Sequence, residues 1–301
     1  MLSPKPWKLE SIVRLLLKLF ICMCAGWLLI GVLYAKVQAG RGRANLAAVA
    51  IVAVVCLGAA FVLLRKPWTA ENFLFRAVSA LTVFYAGLVL TAWAQHLAGA
   101  LTGTPSVPQM VIAMLSLQGA TIVLVTLFLK EQGSSWREAF GLSHNTRRAI
   151  ATGILVACLF LPIAWLLKSV SERGIEHFSH TRASQQESVE TIRVASGWAH
   201  RVLLAAVTLV LAPIGEETLF RGILYSAIRQ IGFRRLAFWV NSVAFALIHF
   251  NAGAFLPLLV LAMILTVLYE KTDNLLAPIA AHATFNGIEF VAIYLFANQS
   301  G

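Results

Sequence analysis

Two carboxylates and a guanidinium lie within an apolar stretch of this 301-residue chain. The carboxylates belong to Glu216 and Glu217 and the guanidinium to Arg221, and residues 202–211 before them are apolar except for one Thr. Each such charge costs about 2.5–3.5 kcal/mol in a membrane helix, which is tolerated where charges pair, face a cavity or do chemistry. Glu217 and Arg221 are four residues apart and can pair. Glu216 points about 100° away and is therefore the candidate for chemistry.

Two later apolar segments carry polar side chains at helical spacing. Asn241 and His249 lie four residues either side of Phe245, and His282 and Asn286 are also four residues apart. Residues at this spacing share one face of a helix. The sequence therefore predicts three helices that each present polar groups on one face.

These polar groups are predicted to lie at one depth. If the three helices start from a common cytoplasmic baseline, the rise per residue places Glu216, His249, His282 and Asn286 about 12–21 Å above it. The turn at 250–253 then also lies within the membrane. Irregular backbone at that depth must be buried in protein or line a water-filled cavity. A wet chamber inside the membrane follows.

A chamber lined by a carboxylate, two imidazoles and an amide can hydrolyse a peptide bond. A carboxylate and an imidazole that hold one water make it nucleophilic, and a second imidazole and an amide can donate hydrogen bonds to the developing oxyanion. Other intramembrane proteases are excluded, because Asp273 is the sole aspartate and the chain has neither H-E-x-x-H nor G-x-S-x-G.

Composition indicates an all-α polytopic membrane bundle, since 59% of residues are hydrophobic and only 12% are charged. The net charge of +11 does not indicate nucleic-acid binding, because Lys and Arg cluster at the ends of apolar segments, as in membrane topology. The four cysteines are predicted to be buried apolar residues. Nine spans are predicted, at about 12–34, 46–64, 74–97, 107–129, 148–169, 199–229, 236–250, 254–270 and 275–297.

The spans divide into three predicted regions. Residues 1–147 form an N-terminal transmembrane scaffold of about four spans, 148–198 the fifth span and a polar loop, and 199–297 the catalytic core. The connector before the fifth span is expected to hold a short interfacial helix at 136–142. The polar stretch 171–196 is expected to be a solvated loop, with a flap over the chamber as the alternative.

The basic residues also orient the chain. The larger set of Lys and Arg lies on the side of the N-terminus, which predicts a cytoplasmic N-terminus and an external C-terminus. The first apolar run exceeds a signal-peptide core and is expected to be retained as a span.

The polar residues resemble the motifs of the CPBP family, which comprises type II CAAX prenyl endopeptidases and bacteriocin-processing Abi proteins. The resemblance covers about 199–297 and rests on three motifs in this order: Glu216-Glu217-x-x-x-Arg221, Phe245-x-x-x-His249 and His282-x-x-x-Asn286. Phe140-Gly141-Leu142 also looks like a segment that often precedes this core.

The resemblance implies an intramembrane endopeptidase that acts on a peptide or protein, prenylated or membrane-embedded, in a bacterial cell membrane. It implies that Glu216 activates the water with help from His249, and that His282 and Asn286 form the oxyanion site. Glu217 and Arg221 would order the first-motif helix. The natural substrate stays open.

A zinc site is the alternative to a cofactor-free mechanism. Glu216, His249 and His282 could act as a two-His, one-carboxylate set with water as the fourth ligand. We expect no metal, because the ligands come from three helices. The nearby carboxylates that could orient a ligating histidine are Glu217, which Arg221 is expected to occupy, and Glu289. Asn286, one turn beyond His282, also suits an oxyanion donor better than a zinc ligand.

Two functions outside the protease class also remain as alternatives. One is a proton-coupled transporter, although no inverted repeat is found. The other is a non-catalytic immunity or binding protein, although no position of the three motifs is lost. Asn241 is expected to form an interhelical hydrogen bond, and the role of Glu289 is open.

Overall fold

The computed structural model describes residues 5, 7–37, 69, 71–76, 78–79, 106–180, 187–195 and 197–297. Over these ranges the chain is helical and contains no strand, which confirms the all-α prediction. We number the following helices in chain order: α1 Leu9–Val37, α2 Val107–Glu131, α3 Trp136–Phe140, α4 Thr146–Ser179, α5 Glu187–Val194, α6 Trp198–Gln230, α7 Arg234–Leu247, α8 Ala252–Thr272 and α9 Leu276–Ala297.

Five of these helices, α2, α4, α6, α8 and α9, are long and apolar enough to cross a membrane. The chain is a multi-pass integral membrane protein. Helix α1 covers the first predicted span, and α7, at 14 residues, is the short seventh one. The span predicted at 46–64 and most of that at 74–97 lie outside the described residues. The count of nine therefore stays a prediction.

The described residues belong to two compact units. One contains α1 and the part of α2 up to Phe128, and the other contains residues 5 and 7 with everything from Leu129 onward. Within the first unit, a Cβ added at Gly26 would lie 2.3 Å from Ser116 Oγ. This small residue therefore allows α1 and α2 to approach closely.

The second unit is built on a close contact between α4 and α9. A Cβ at Gly153 would lie 2.3 Å from the carbonyl oxygen of Ala277, so only glycine fits there. Small residues at membrane-helix interfaces allow this approach. The buried residues of this contact, joined by apolar side chains of α8, are Ala149, Ala157, Phe160, Ala164, Leu261, Leu265, Leu268, Ala277 and Ala281.

The predicted short helix at 136–142 is present as α3. Its N-terminus is a capping box, in which Ser135 Oγ accepts from the backbone N–H of Glu138 and the Glu138 carboxylate accepts from the N–H of Ser135. The same bond from the Ser135 N–H lowers the pKa of the Glu138 carboxyl. Its location at the membrane interface stays a prediction.

Residues Phe140 and Gly141 attach α3 to the core of the second unit. The carbonyl oxygen of Phe140 accepts a 3.0 Å hydrogen bond from the N–H of Leu275, in the turn between α8 and α9. Gly141 has a φ of +67°, and a Cβ there would lie 1.8 Å from the carbonyl oxygen of Asp273. The fully buried Phe140 ring also packs against Gly222 of α6. This segment therefore holds the turn between α8 and α9 and packs against α6.

The prediction of a loop at 171–196 is wrong for most of that stretch. Helix α4 continues through Ser179, and residues 187–194 form α5. Polar residues form helix well when no proline intervenes, and α5 is anchored because the Tyr294 hydroxyl donates a 2.9 Å hydrogen bond to the carbonyl oxygen of Ile192. Residues 181–186 of this stretch lie outside the described residues.

Candidate active site

Helix α6 carries the acidic pair on a short α-helical piece between two π-helical segments. The π segments are Val207–Leu211 and Thr218–Tyr225, and the piece between them is Ala212–Glu217. Pro213 has no N–H to donate to the preceding turn, which is a recognised cause of helix distortion. Single π turns inside α-helices occur frequently at functional sites.

The predicted ion pair between Glu217 and Arg221 is present. Arg221 Nη1 donates to Glu217 Oε1 at 3.1 Å, and both side chains are 0% exposed. Arg221 Nη2 donates to the carbonyl oxygen of Ala262 in α8 at 2.9 Å. The guanidinium also lies 4.6 Å from the centroid of the Phe245 ring in α7. Arg221 thus joins three helices around one buried charge.

Glu217 also contacts His282 of α9. His282 Nδ1 lies 2.8 Å from Glu217 Oε1, the same oxygen that accepts from Arg221. Because an ionised carboxylate only accepts hydrogen bonds, Nδ1 carries the proton and donates it. The opposite nitrogen, Nε2, faces Glu216, whose Oε2 is 4.0 Å away. The expectation that Arg221 would leave Glu217 unavailable to a histidine is therefore wrong.

His249 lies in the turn that follows α7. Its Nδ1 is 2.7 Å from the carbonyl oxygen of Phe245. Because a carbonyl oxygen only accepts, Nδ1 is again the donor, and Nε2 is left with its lone pair. The Phe245 ring contacts both imidazoles, with centroids 5.0 Å from His249 and 5.7 Å from His282. This fully buried ring therefore fixes the spacing of the two histidines.

Asn286 contacts backbone of the first π segment. Its Nδ2 donates to the carbonyl oxygen of Thr208 at 3.0 Å. An amide nitrogen carries two N–H groups, so the second stays available to another acceptor. Asn286 lies one helical turn beyond His282, as its spacing predicts.

Two other polar residues take positions outside this group. Asn241 Nδ2 lies 3.4 Å from Thr266 Oγ1 in α8, which confirms the predicted interhelical hydrogen bond. Glu289, whose role was open, accepts a 2.6 Å hydrogen bond from Trp165 Nε1 of α4.

The structure therefore joins Arg221, Glu217, His282 and Glu216 in one continuous series of contacts. Glu216 and His282 are 9% and 4% exposed, so the series lies inside the protein. His249 is attached to it through the Phe245 ring. Sequence reasoning missed the backbone carbonyls that hold Arg221 and Asn286, since backbone groups leave no signal in residue identity.

The described residues contain no group of three or more His, Cys, Asp or Glu side chains arranged to hold a metal ion. Each histidine does direct Nδ1 to an oxygen acceptor, as metal-bound histidines do. The cofactor-free mechanism and its zinc alternative at Glu216, His249 and His282 both stay predictions.

Comparisons with known proteins agree with the resemblance over the core. Residues 198–288 match the family model of type II CAAX prenyl endopeptidase Rce1-like proteins, and this range contains all three motifs. The UPF0177 protein YxdF of Lactococcus lactis subsp. lactis (strain IL1403) is 33% identical over 78 residues, 26% of this chain and 42% of that protein. The match thus spans less than half of the relative's length. No solved structure matches the chain.

The predicted resemblance is therefore confirmed for residues 198–288. At the level of the family, this match supports a CAAX-type intramembrane protease. It places the region of resemblance on α6, α7, α8 and most of α9, the helices that carry the site.

Proposed function

We propose that this protein is an intramembrane endopeptidase that hydrolyses a peptide bond with a water molecule activated by Glu216. The observation that supports this most strongly is the contact between Glu217 and His282 Nδ1. It fixes one ring nitrogen and directs the other toward Glu216. A carboxylate and an oriented imidazole then face one another inside a membrane bundle.

The two histidines have different hydrogen-bond partners, and we assign them different tasks. His249 donates from Nδ1 to a neutral carbonyl, so its Nε2 can accept a hydrogen bond from the attacking water. His282 donates from Nδ1 to a carboxylate. It donates from Nε2 as well only when doubly protonated; Glu217 and Glu216 together then balance the positive charges of Arg221 and of this ring.

In the proposed step, Glu216 takes one proton from the water while the water oxygen attacks the peptide carbonyl carbon. The carbonyl oxygen becomes an oxyanion that accepts hydrogen bonds from His282 Nε2 and from the second N–H of Asn286 Nδ2. Glu216 then delivers its proton to the departing amine nitrogen as the C–N bond breaks. The products are a carboxylic acid, which keeps the second proton of the water until it ionises to solvent, and an amine, and no covalent intermediate forms.

The substrate class and the cell membrane are proposed from the family resemblance, and the sidedness is proposed from the distribution of Lys and Arg. The substrate is a peptide or protein, prenylated or membrane-embedded, and the reaction needs no cofactor. The N-terminus is cytoplasmic and the C-terminus external, in a bacterial cell membrane. If chelation abolished cleavage and zinc restored it, the cofactor-free mechanism would be replaced by the zinc alternative.

The test is to identify products. The purified protein in proteoliposomes is incubated with matched prenylated and unprenylated peptides, and fragments are identified by mass spectrometry. We expect a single cleaved bond, absent with Glu216→Gln and retained with Glu176→Gln, an exposed carboxylate of α4. Peptide binding without cleavage by the wild-type protein would instead favour the non-catalytic binding alternative.

A further inference from the structure

Glu289 is a carboxylate within a membrane span that the proposed reaction does not use. It is partly buried, and its Oε1 accepts a 2.6 Å hydrogen bond from Trp165 Nε1. Among the described residues, no Lys or Arg forms an ion pair with it. Ionisable residues within membrane spans are rare because each is costly, and they mark functional sites by default.

The position of Glu289 relates it to the candidate active site. It follows His282 by seven residues and Asn286 by three on the continuous helix α9. Seven residues are nearly two turns, so Glu289 lies on the same face as His282, about 10 Å further along the axis. At this distance from His282, Glu289 lies beyond the part of α9 that contacts Glu217.

Trp165 gives this position a second recognition element. Its indole N–H points to the carboxylate, and the side chain is 44% exposed. An ammonium or guanidinium group binds both to a carboxylate and to the face of an indole ring. A carboxylate and an exposed indole in direct contact therefore suit one ligand chemistry, an organic cation.

We propose that Glu289 and Trp165 form a subsite that binds a Lys or Arg side chain of the substrate. This inference rests on the proposed endopeptidase function. An extended peptide advances about 3.3 Å per residue, so the 10 Å along α9 corresponds to about three residues. The cationic residue is therefore placed about three residues from the cleaved bond.

The test uses peptides that differ at one position. Each carries Lys, norleucine or Glu at one of the positions two to four residues on either side of the cleaved bond. We expect kcat/KM to be at least about tenfold higher for Lys than for norleucine at one of these positions. Glu289→Gln should remove that preference, so that this variant cleaves the Lys and norleucine peptides with equal kcat/KM. Glu289→Lys should prefer the Glu peptide.

The Gln variant separates charge from fold. Its amide oxygen can still accept from Trp165 Nε1, so the contact between α4 and α9 is kept. Trp165→Phe loses that hydrogen bond but keeps an aromatic face, and it should retain a preference for Lys. If Glu289 only fastened α4 to α9, the wild type would show no preference for Lys, Glu289→Gln would leave the Tm unchanged, and Trp165→Phe would lower the Tm and slow all peptides equally, which would overturn the subsite.

Measurements of peptide binding test the subsite separately from catalysis. Peptide Kd values are measured on Glu216→Gln, alone and combined with Glu289→Gln. We expect the Lys peptide to bind at least about tenfold more tightly than norleucine in the first protein and equally in the second. Equal Kd and kcat/KM for both peptides at every position would refute the subsite. Charge-dependent binding without any cleavage by wild type would refute only the endopeptidase.

Discussion

Among the described residues, Glu217 forms ion pairs with Arg221 and His282. Replacing Arg221 by methionine removes the first of these partners and keeps an apolar side chain in its place. Both charges are 0% exposed, and breaking one partner of a buried pair costs about 3–5 kcal/mol, because the other charge stays buried. The carbonyl oxygen of Ala262 also loses its donor. For a unit of this size, such a loss lowers the Tm by about 6–20 °C.

The same argument about buried charge predicts the stability of a double variant. Arg221→Met combined with Glu217→Gln removes both charges and keeps an acceptor for His282. Replacing a buried pair by neutral groups is often close to neutral in stability. We therefore expect the double variant to be more stable than Arg221→Met alone, although it carries one more substitution.

The assay is thermal unfolding of the purified proteins in one detergent, with elution volume as a check on fold. Arg147→Met is the matched control, since Arg147 is an exposed arginine in the first turn of α4. Substitutions at exposed positions usually change stability by about 0.5 kcal/mol or less, so its Tm should change little. If Arg221→Met unfolds like wild type, or if the double variant is less stable than Arg221→Met, the charge reasoning is wrong.

Three shorter predictions follow from the same structure. Glu217→Gln should lower kcat about 10–100-fold, because the imidazole it orients loses its charged partner, and it should also lower the Tm, because the charge of Arg221 stays buried without its carboxylate; unchanged turnover would contradict this. Gly141→Ala should destabilise the protein by about 1–3 kcal/mol more than Gly133→Ala, because both glycines have positive φ but only Gly141 would place its Cβ against Asp273; equal Tm values would contradict it. A reporter active only in the cytoplasm, fused after Gly301, should give no signal, and a strong signal would mean that a span is miscounted.

The sequence was sufficient to predict the positions of the site helices and one of its contacts. Charges inside apolar segments indicated α6 and α9 as helices of the candidate site, and the four-residue spacing predicted the Glu217–Arg221 pair, since contacts within one helix follow from spacing alone. The short seventh span predicted that the turn after it lies within the membrane, which stays a prediction, and the structure ends α7 at Leu247 and places His249 in that turn rather than in the helix. These inferences need only helix geometry and the cost of burying charge.

Contacts between helices could not be predicted in the same way. Glu217 and His282 are 65 residues apart, and which helix faces which depends on packing that no local pattern specifies. The π segments around Glu216 and Glu217 shift the faces of α6, which ideal helical geometry cannot anticipate. The prediction of a loop after residue 171 was wrong because composition says little about where a helix ends.

The single-turnover cleavage rate of Glu216→Gln, compared with wild type on the same peptide, tests the proposed mechanism most directly. The amide keeps the size of the side chain but cannot take a proton from water. We predict a rate at least about 100-fold lower, with peptide Kd and Tm unchanged. A rate within a few-fold of wild type would contradict the account, because the water would then be activated by another group.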